Sequence, residues 1–218
     1  MSTERLRGLV VDFYGVMTDG MDGAMRAWSE SDNIDYAHFR SAMRDWFGDV
    51  GAVTATYNPV HALERGELEI LDFEQKLAEK LRQRDGQPIE AEGLVHRMFS
   101  RFNHAPDMAG LVRRAHSSGI ATALLSNSWG DLYFRSGWDD MFDAVVISGE
   151  VGMRKPDAEI FHYTLSQLEL SAAECVFVDD HPANVAAAAQ LGFVGVHHRD
   201  YEQTAAELTT LFARPLGS

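Results

Sequence analysis

The sequence predicts an α/β fold, a Rossmann-like and mostly parallel sheet flanked by helices, with a small α-helical cap domain. Five short runs of apolar, often β-branched residues recur along the chain, and helical stretches separate most of them. The runs are apolar throughout, which is typical of parallel strands buried on both faces. Between residues 19 and 96 the strand-like runs stop and helical patterns take their place.

The alternating part of the chain supplies the predicted sheet and its flanking helices. We predict strands at Gly8–Val11, Ile120–Leu125, Ala144–Ile147, Cys175–Val178 and Phe193–Val196. We predict helices at Asp107–Ser117, Asp157–Leu168, Pro182–Leu191 and Tyr201–Phe212. Pro182 suits a first helical turn, and Gly119 and Gly192 suit helix ends.

The region after the first strand is predicted to form the cap. Its helical patterns lie at Ile34–Phe47, Asn58–Arg65, Leu71–Arg84 and Ala91–Phe102. We therefore predict two domains, a core of residues 1–18 plus 97–218 and a cap of residues 19–96. A lid inserted there would close over the carboxyl edge of the sheet, where open α/β folds bind ligands.

Composition limits the partners and the compartment. The chain has 218 residues, 45% of them hydrophobic, and a formal net charge of −14. The negative charge argues against nucleic acid and against an anionic membrane as partners. A small, anionic substrate is still expected, because a metal ion and one well-placed Lys can reverse the field locally. A single cysteine, Cys175, and the lack of a signal-peptide apolar segment in residues 1–5 predict a cytoplasmic protein. Monomer and homodimer both stay open.

Polar residues follow several of the predicted strands or open the next helix. They are Asp12, Ser126-Asn127-Ser128, Lys155 and Asp179-Asp180. Taken singly, each is a common turn or helix cap. Because parallel strands end at one edge of a sheet, we expect these four groups to converge there.

The four groups, in this order, resemble the motifs of the haloacid dehalogenase superfamily of hydrolases over nearly the whole chain. Asp12-Phe13-Tyr14-Gly15-Val16 is similar to the first motif, Ser126 to the second, Lys155 to the third and Asp179-Asp180 to the fourth. Two further stretches resemble the subgroup that contains the amino-terminal phosphatase domain of soluble epoxide hydrolase: Leu125-Ser126-Asn127-Ser128 and Gly152-Met153-Arg154-Lys155-Pro156-Asp157.

The resemblance implies a nucleophile and a metal ion. Asp12 would attack phosphorus, since a carboxylate can form an acyl-phosphate that water then hydrolyses. The family would hold Mg²⁺ with Asp12, the backbone carbonyl of Tyr14 and Asp180, and oxygen ligands of this kind suit Mg²⁺. Asp179 would orient Lys155 or the waters of the metal ion.

The remaining motif residues would bind the transferred phosphoryl group. Lys155 would neutralise negative charge, while the hydroxyl of Ser126 and the backbone amide of Asn127 would donate hydrogen bonds to the phosphoryl oxygens. Asn184 stands at a position that often supports the site in this family.

Tyr14 departs from the phosphatases of the family, which have an Asp there as acid and base. An ordinary tyrosine, with a pKa of about 10, is a poor base at neutral pH. The resemblance therefore leaves a rival, since the 2-haloacid dehalogenases of the superfamily carry Tyr at this position and use an ester on the same Asp. Those enzymes lack the acidic pair, and they have Thr at the position of Val16 and Tyr at that of Phe161. Three departures against one match favour a Mg²⁺-dependent phosphoric-ester hydrolase.

A third possibility is a binding module that keeps the fold without catalysis. The retained Asp12, Lys155 and Asp180 argue against it, because no structural need requires all three. Arg154 is expected to be a solvated surface residue rather than a substrate ligand. His181 and the His197-His198 pair are expected to have surface or supporting roles, because no metal-binding spacing surrounds them.

Overall fold

The computed structural model describes residues 6–47 and 57–217 of the chain; residues 1–5, which entered the prediction of compartment, lie outside that description, as do residues 48–56 and 218. Five strands form one sheet in the order β3-β2-β1-β4-β5, and every neighbouring pair is parallel. The strands are β1 Gly8–Val11, β2 Ala121–Ser126, β3 Ala144–Ile147, β4 Cys175–Asp179 and β5 Val194–His197. The predicted fold class is confirmed, and each strand lies within one residue of its predicted bounds.

Helices surround the sheet and fill the segment after β1. Five of them, here called the insertion helices, are α1 Met21–Ser31, α2 Tyr36–Phe47, α3 Pro59–Glu64, α4 Ile70–Lys80 and α5 Leu94–Phe99. The others are α6 Pro106–Ser117, α7 Ser148–Val151, α8 Ala158–Leu168, α9 Pro182–Gln190 and α10 Tyr201–Phe212.

The strands are apolar throughout because both faces of the sheet are covered. Leu9 and Val11 of β1 belong to a core that includes buried residues of α6 and α10, whereas Val10 belongs to a second core that includes residues of α8 and α9. Alternate residues of a strand point to opposite faces, so β1 needs apolar side chains at each position. Cys175 of β4 is buried in the second core, and burial raises its thiol pKa to about 12.

The ends of the core helices follow the predicted local rules. Pro182 is the first residue of α9, where its missing N–H costs no helical hydrogen bond. Gly119 and Gly192 follow α6 and α9 with φ of +81° and +104°, a region that L side chains rarely adopt.

The insertion helices depart further from the predicted bounds. Helix α1 was not predicted, and the predicted helix Ala91–Phe102 is only Leu94–Phe99. A buried side chain fixes the start of α5, because Glu74 of α4 accepts the backbone N–H groups of Gly93 and Val95 at 3.0 and 2.9 Å. Such a long-range cap leaves no local pattern in the sequence. The division into two domains at residues 18 and 96 stays a prediction.

Within the described residues, no helix combines the length and the apolar character needed to cross a bilayer.

Candidate active site

Asp12 lies immediately after β1, at the carboxyl edge of the sheet. Its backbone N–H donates to the carbonyl of Val178 at 2.9 Å, which extends the pairing of β1 with β4 by one residue. Its Oδ1 accepts the N–H of Phe13 at 2.7 Å, and the residue is 8% exposed. The fold therefore fixes the Asp12 carboxyl at a buried position at the end of the central strand.

Lys155 joins two of the predicted acidic residues. Its Nζ lies 2.8 Å from Oδ1 of Asp12 and 2.7 Å from Oδ2 of Asp179, and the residue is 1% exposed. Burial alone would lower the pKa of the lysine, but the two carboxylates outweigh it and the pKa is raised. Lys155 is therefore a fixed positive charge between the first and fourth motifs.

Asn127 holds the backbone of Lys155 rather than facing away from it. The N–H of Lys155 donates to Oδ1 of Asn127 at 2.9 Å, and Nδ2 of Asn127 donates to the carbonyl of Lys155 at 3.0 Å. This pair of bonds ties the end of β2 to the loop before α8. The sequence predicted a role for the Asn127 backbone amide, and the side chain adds a positioning role that was not foreseen.

Asp179 accepts hydrogen bonds from three donor groups, and both of its carboxylate oxygens take part. Besides Lys155, it accepts the N–H of His181 at 2.8 Å and Nδ2 of Asn184 at 3.2 and 3.1 Å. Asp179 is fully buried, and a buried carboxylate needs such partners. The structure places Asn184 against Asp179, and the supporting role of both residues stays a prediction.

Asp180 lies against the turn that follows Asp12. A Cβ on Gly15, whose φ is +85°, would lie 2.3 Å from Oδ2 of Asp180, so that position accepts only glycine. The ring Nε2 of His197 lies 2.9 Å from the backbone carbonyl of Asp180, a supporting contact of the kind expected for this histidine.

Carboxyl oxygens of Asp12, Asp179 and Asp180 all lie within 4.8 Å of one another. Three acidic groups beside one buried ammonium, that of Lys155, give the cluster an excess of negative charge, and burial together with neighbouring carboxylates raises the pKa of Asp12 and Asp180. For Asp12 the attraction of Lys155 opposes that rise. Oxygen donors with an excess of negative charge are what a hard divalent cation requires, so these residues fit such an ion.

Ser126 is the last residue of β2, at the same edge of the sheet. Its Oγ lies 2.9 Å from the hydroxyl of Tyr133, and it also donates a long hydrogen bond of 3.5 Å to the carbonyl of Asn127. Tyr133 was not among the predicted site residues, because it lies seven positions beyond Ser126 in an irregular loop with no motif to mark it.

The Tyr14 side chain lies in an aromatic cluster beside Asp12. Its ring centroid is 5.0 Å from that of Phe13, 4.8 Å from Phe99 and 5.0 Å from Phe102, and its hydroxyl lies 3.4 Å from the carbonyl of Leu132. Burial, with the charge of Asp12, raises the Tyr14 pKa further above its usual range. The phenol therefore stays protonated at neutral pH and cannot serve as a base.

Arg154 was expected to be a solvated surface residue, but its side chain is mostly buried. Its Nε donates to Oε2 of Glu64 at 2.6 Å, and the two side chains are only 11% and 8% exposed. Trp129 donates its ring N–H to the other oxygen of Glu64 at 3.4 Å. The expectation was wrong because Glu64 lies 90 residues away in the sequence, on α3, and only the fold brings it to Arg154.

The other histidines hold no metal-binding geometry among the described residues. His181 is exposed, and Nδ1 of His198 lies 2.8 Å from the hydroxyl of Thr204. Both arrangements agree with the surface or supporting roles that the sequence suggested.

The chain is similar in sequence to one family of hydrolases and to individual phosphatases. A family described as haloacid dehalogenase-like hydrolase matches residues 6–192. Sesquiterpene phosphatase astK of Aspergillus oryzae is 30% identical over 191 residues, which cover 75% of this chain and 93% of that protein. Phosphoserine phosphatase of Thermus thermophilus is 31% identical over 128 residues, 56% of this chain and 51% of that protein.

Two solved structures illustrate the likeness in fold. An enzyme of the haloacid dehalogenase family from Bacteroides thetaiotaomicron, crystallised with magnesium and inorganic phosphate, has a TM-score of 0.64 at 17% identity and covers 89% of this chain and 94% of its own. A dehalogenase has a TM-score of 0.63 at 20% identity, and the match covers 96% of this chain and 98% of the dehalogenase chain. At these identities the similarity concerns the fold alone.

Proposed function

Because this chain belongs to the haloacid dehalogenase-like hydrolases, we propose that it hydrolyses a small phosphate ester through a covalent aspartyl-phosphate on Asp12. The observation that carries the proposal is the Asp12 carboxylate, held 2.8 Å from the Lys155 ammonium and within reach of the Asp180 carboxyl. A carboxylate that attacks phosphorus must be ionised. Burial raises the pKa of Asp12 to about 8, Lys155 opposes that rise, and a bound divalent cation would oppose it further.

The proposed reaction proceeds in two steps. One oxygen of Asp12 forms a bond to phosphorus while the bond from phosphorus to the ester oxygen breaks, and that oxygen leaves with the electron pair. Water then attacks the aspartyl-phosphate, which releases phosphate and restores the Asp12 carboxylate. Lys155 offsets the charge on both the carboxylate and the phosphoryl oxygens, and Ser126 donates a hydrogen bond to one of those oxygens.

We assign a magnesium ion to oxygens of Asp12 and Asp180 and to the backbone carbonyl of Tyr14. When bound, the ion supplies positive charge against the acidic cluster and the phosphate ester. Asp179 is left to hold Lys155, since Lys155, Asn184 and the N–H of His181 already occupy its carboxylate. The division of labour between the two neighbouring aspartates thus follows from their partners.

The identity of the leaving group follows from Tyr14. The phenol stays protonated and its hydroxyl is directed to the carbonyl of Leu132, so Tyr14 provides neither a proton for the leaving oxygen in the first step nor a base in the second. The proposed enzyme therefore works best on esters whose leaving oxygen is already acidic. The aromatic rings of Phe13, Phe99 and Phe102 around Tyr14 favour an apolar organic group on the ester, and the name of the similar sesquiterpene phosphatase points the same way.

The rival is a 2-haloacid dehalogenase, in which an ester on Asp12 forms as halide leaves and no proton is needed. The closeness of Asp180 to Asp12 supports the phosphatase, because two carboxylates within 4.8 Å repel each other unless a cation lies between them. A dehalogenase without metal would gain nothing from that repulsion.

A release assay with paired readouts tests the proposal. The protein is offered p-nitrophenyl phosphate, glycerol phosphate, farnesyl phosphate and 2-chloropropionate, each with MgCl₂ or with EDTA. We expect phosphate release that requires Mg²⁺ and is fastest for p-nitrophenyl phosphate. Chloride release that persists in EDTA would instead identify the dehalogenase, and silence on all four compounds would favour the binding module.

The variant Asp12→Asn is expected to lose turnover almost completely while its fold and thermal unfolding temperature are retained. The matched control is Asp140→Asn, which removes an exposed carboxylate and should leave the rate unchanged. If Asp12→Asn releases phosphate at the wild-type rate, Asp12 is not the nucleophile.

A further inference from the structure

Tyr133 brings a phenol hydroxyl into the predicted phosphate-binding edge of the sheet. Its hydroxyl lies 2.9 Å from Oγ of Ser126, and its ring packs 5.1 Å from Phe13 and 5.8 Å from Trp138, centroid to centroid. Ser126 itself is 1% exposed. Packing on the phenol ring therefore holds the pair at this edge of the sheet, where Ser126 is buried and Tyr133 is partly exposed.

The direction of this hydrogen bond follows from counting protons. A serine hydroxyl has one proton, and Ser126 directs it to the carbonyl of Asn127, an oxygen that can only accept. With the Ser126 proton so directed, the 2.9 Å contact takes its proton from Tyr133, the more acidic of the two hydroxyls; with that proton elsewhere, either hydroxyl can donate. Among the described residues, Ser126 is the only hydrogen-bond partner of the Tyr133 hydroxyl.

The bond from Ser126 to Asn127 is the weak one. At 3.5 Å it lies well beyond the usual 2.5 to 3.0 Å of a hydroxyl hydrogen bond, so a better acceptor would readily take its place. Ser126 lies two residues beyond Leu124, the β2 partner of Val11, and Asp12 lies one residue beyond Val11. Adjacent strands are about 4.8 Å apart, so a phosphoryl group attached to Asp12 would present an oxygen in this neighbourhood.

We propose that Tyr133 is a positioning residue for Ser126: by donating to its oxygen, Tyr133 directs the Ser126 proton to a phosphoryl oxygen of the substrate. The inference rests on the proposed phosphatase function and adds a residue to it. An ordinary phenol is protonated at neutral pH, so Tyr133 has the proton that it donates. Without that donor, the Ser126 hydroxyl would be free to rotate and to act as an acceptor.

The test combines two variants in a double-mutant cycle on p-nitrophenyl phosphate. Tyr133→Phe removes the hydroxyl and keeps the ring, and we expect kcat/KM to fall about tenfold, the size of one ordinary hydrogen bond. Ser126→Ala is expected to cost more, about a hundredfold, because it removes the donor to the phosphoryl group itself. In the Ser126→Ala background, Tyr133→Phe should then cost less than twofold.

That loss of effect distinguishes positioning from packing. If Tyr133 only filled space or held its loop, its substitution would cost the same factor with or without the Ser126 hydroxyl. The matched control is Tyr163→Phe, which removes a partly exposed hydroxyl on α8 and should leave kcat/KM within twofold of wild type. A tenfold loss in both backgrounds, or no loss in either, would overturn the inference.

Binding of inorganic phosphate, measured by calorimetry in MgCl₂, keeps the test separate from turnover. We expect Tyr133→Phe to weaken phosphate binding about tenfold, and only when Ser126 is present. If wild-type protein binds phosphate in this pattern but hydrolyses no ester, the role of Tyr133 holds while the proposed function fails. Equal affinity of wild type and Tyr133→Phe would overturn the role of Tyr133, as would wild-type protein that binds no phosphate.

Discussion

Lys155 is the residue on which the charge balance of the site depends. It is almost fully buried, as are Asp12 and Asp179 on either side of it, and the three groups form one continuous chain of charge-assisted hydrogen bonds. A buried set of three charged side chains is not needed for folding, because apolar side chains of similar size that replace the whole set often serve a core equally well. Its presence is better explained by the reaction than by stability.

The variant Lys155→Met should therefore damage both stability and activity. It leaves two buried carboxylates without their cation, and we expect the free energy of unfolding in metal-free buffer at pH 7 to fall by about 3 to 5 kcal/mol. Urea denaturation followed by circular dichroism measures the change. Lys76→Met, an exposed position on α4, is the matched control and should change stability by less than about 0.5 kcal/mol. A Lys155→Met protein as stable as wild type would mean that the acidic groups do not need this ammonium.

At the scale of elements, the insertion helices meet the core at the loops that carry the site. The end of α3 approaches α7 so closely that a Cβ on Gly66 would lie 2.8 Å from the carbonyl of Gly149. Glu64 pairs with Arg154, the residue before Lys155. Burial raises the pKa of Glu64 even though Arg154 opposes the shift, which indicates how little water reaches this contact.

The contact between Glu64 and Arg154 should be strongly coupled in stability. Removing one partner, as in Glu64→Gln or Arg154→Met, leaves the other buried without its counter-charge, whereas the double variant removes both. We expect a coupling free energy of about 2 kcal/mol from urea denaturation of the two single variants and the double variant. The exposed pair of Asp22 and Arg26 on α1 provides the control cycle, with a coupling below about 0.5 kcal/mol. Equal couplings in both cycles would refute a special contribution from the buried pair.

The same elements explain what could be predicted from the sequence. The strands and the helices α6, α8, α9 and α10 were predicted nearly to the residue, because buried strands and helix caps leave local patterns, whereas the single turn of α7 was not predicted. Asp12, Lys155, Asp179 and Asp180 were foreseen to converge because parallel strands end at one edge. Helix α1 begins at Met21, its N-cap residue Gly20 provides no side-chain cap, and the helix was missed. Glu64 and Tyr133 were missed because their roles come from contacts that no local pattern records.

At the scale of the whole molecule, the net charge opposes the proposed substrate. The sequence has 33 acidic side chains against 19 Lys and Arg, and its formal net charge is −14. A phosphate ester is itself negative, so the far field of the protein repels it, while Lys155 acts only at short range within the site. Salt screens the far field much more than it screens a buried contact.

This difference in range predicts an unusual salt dependence. Between about 10 and about 150 mM NaCl the Debye length falls from about 30 Å to about 8 Å, so kcat/KM for p-nitrophenyl phosphate should rise a few-fold at constant MgCl₂. The kcat should stay nearly constant, because salt only weakly screens the contacts between bound substrate and the buried site. The double variant Asp139→Lys and Asp140→Lys changes two exposed residues, each by two charges, so the net charge of −14 becomes −10 and the rise should be smaller. A kcat/KM that falls with salt would mean that local attraction at the site, rather than the acidic surface, controls the approach of the substrate.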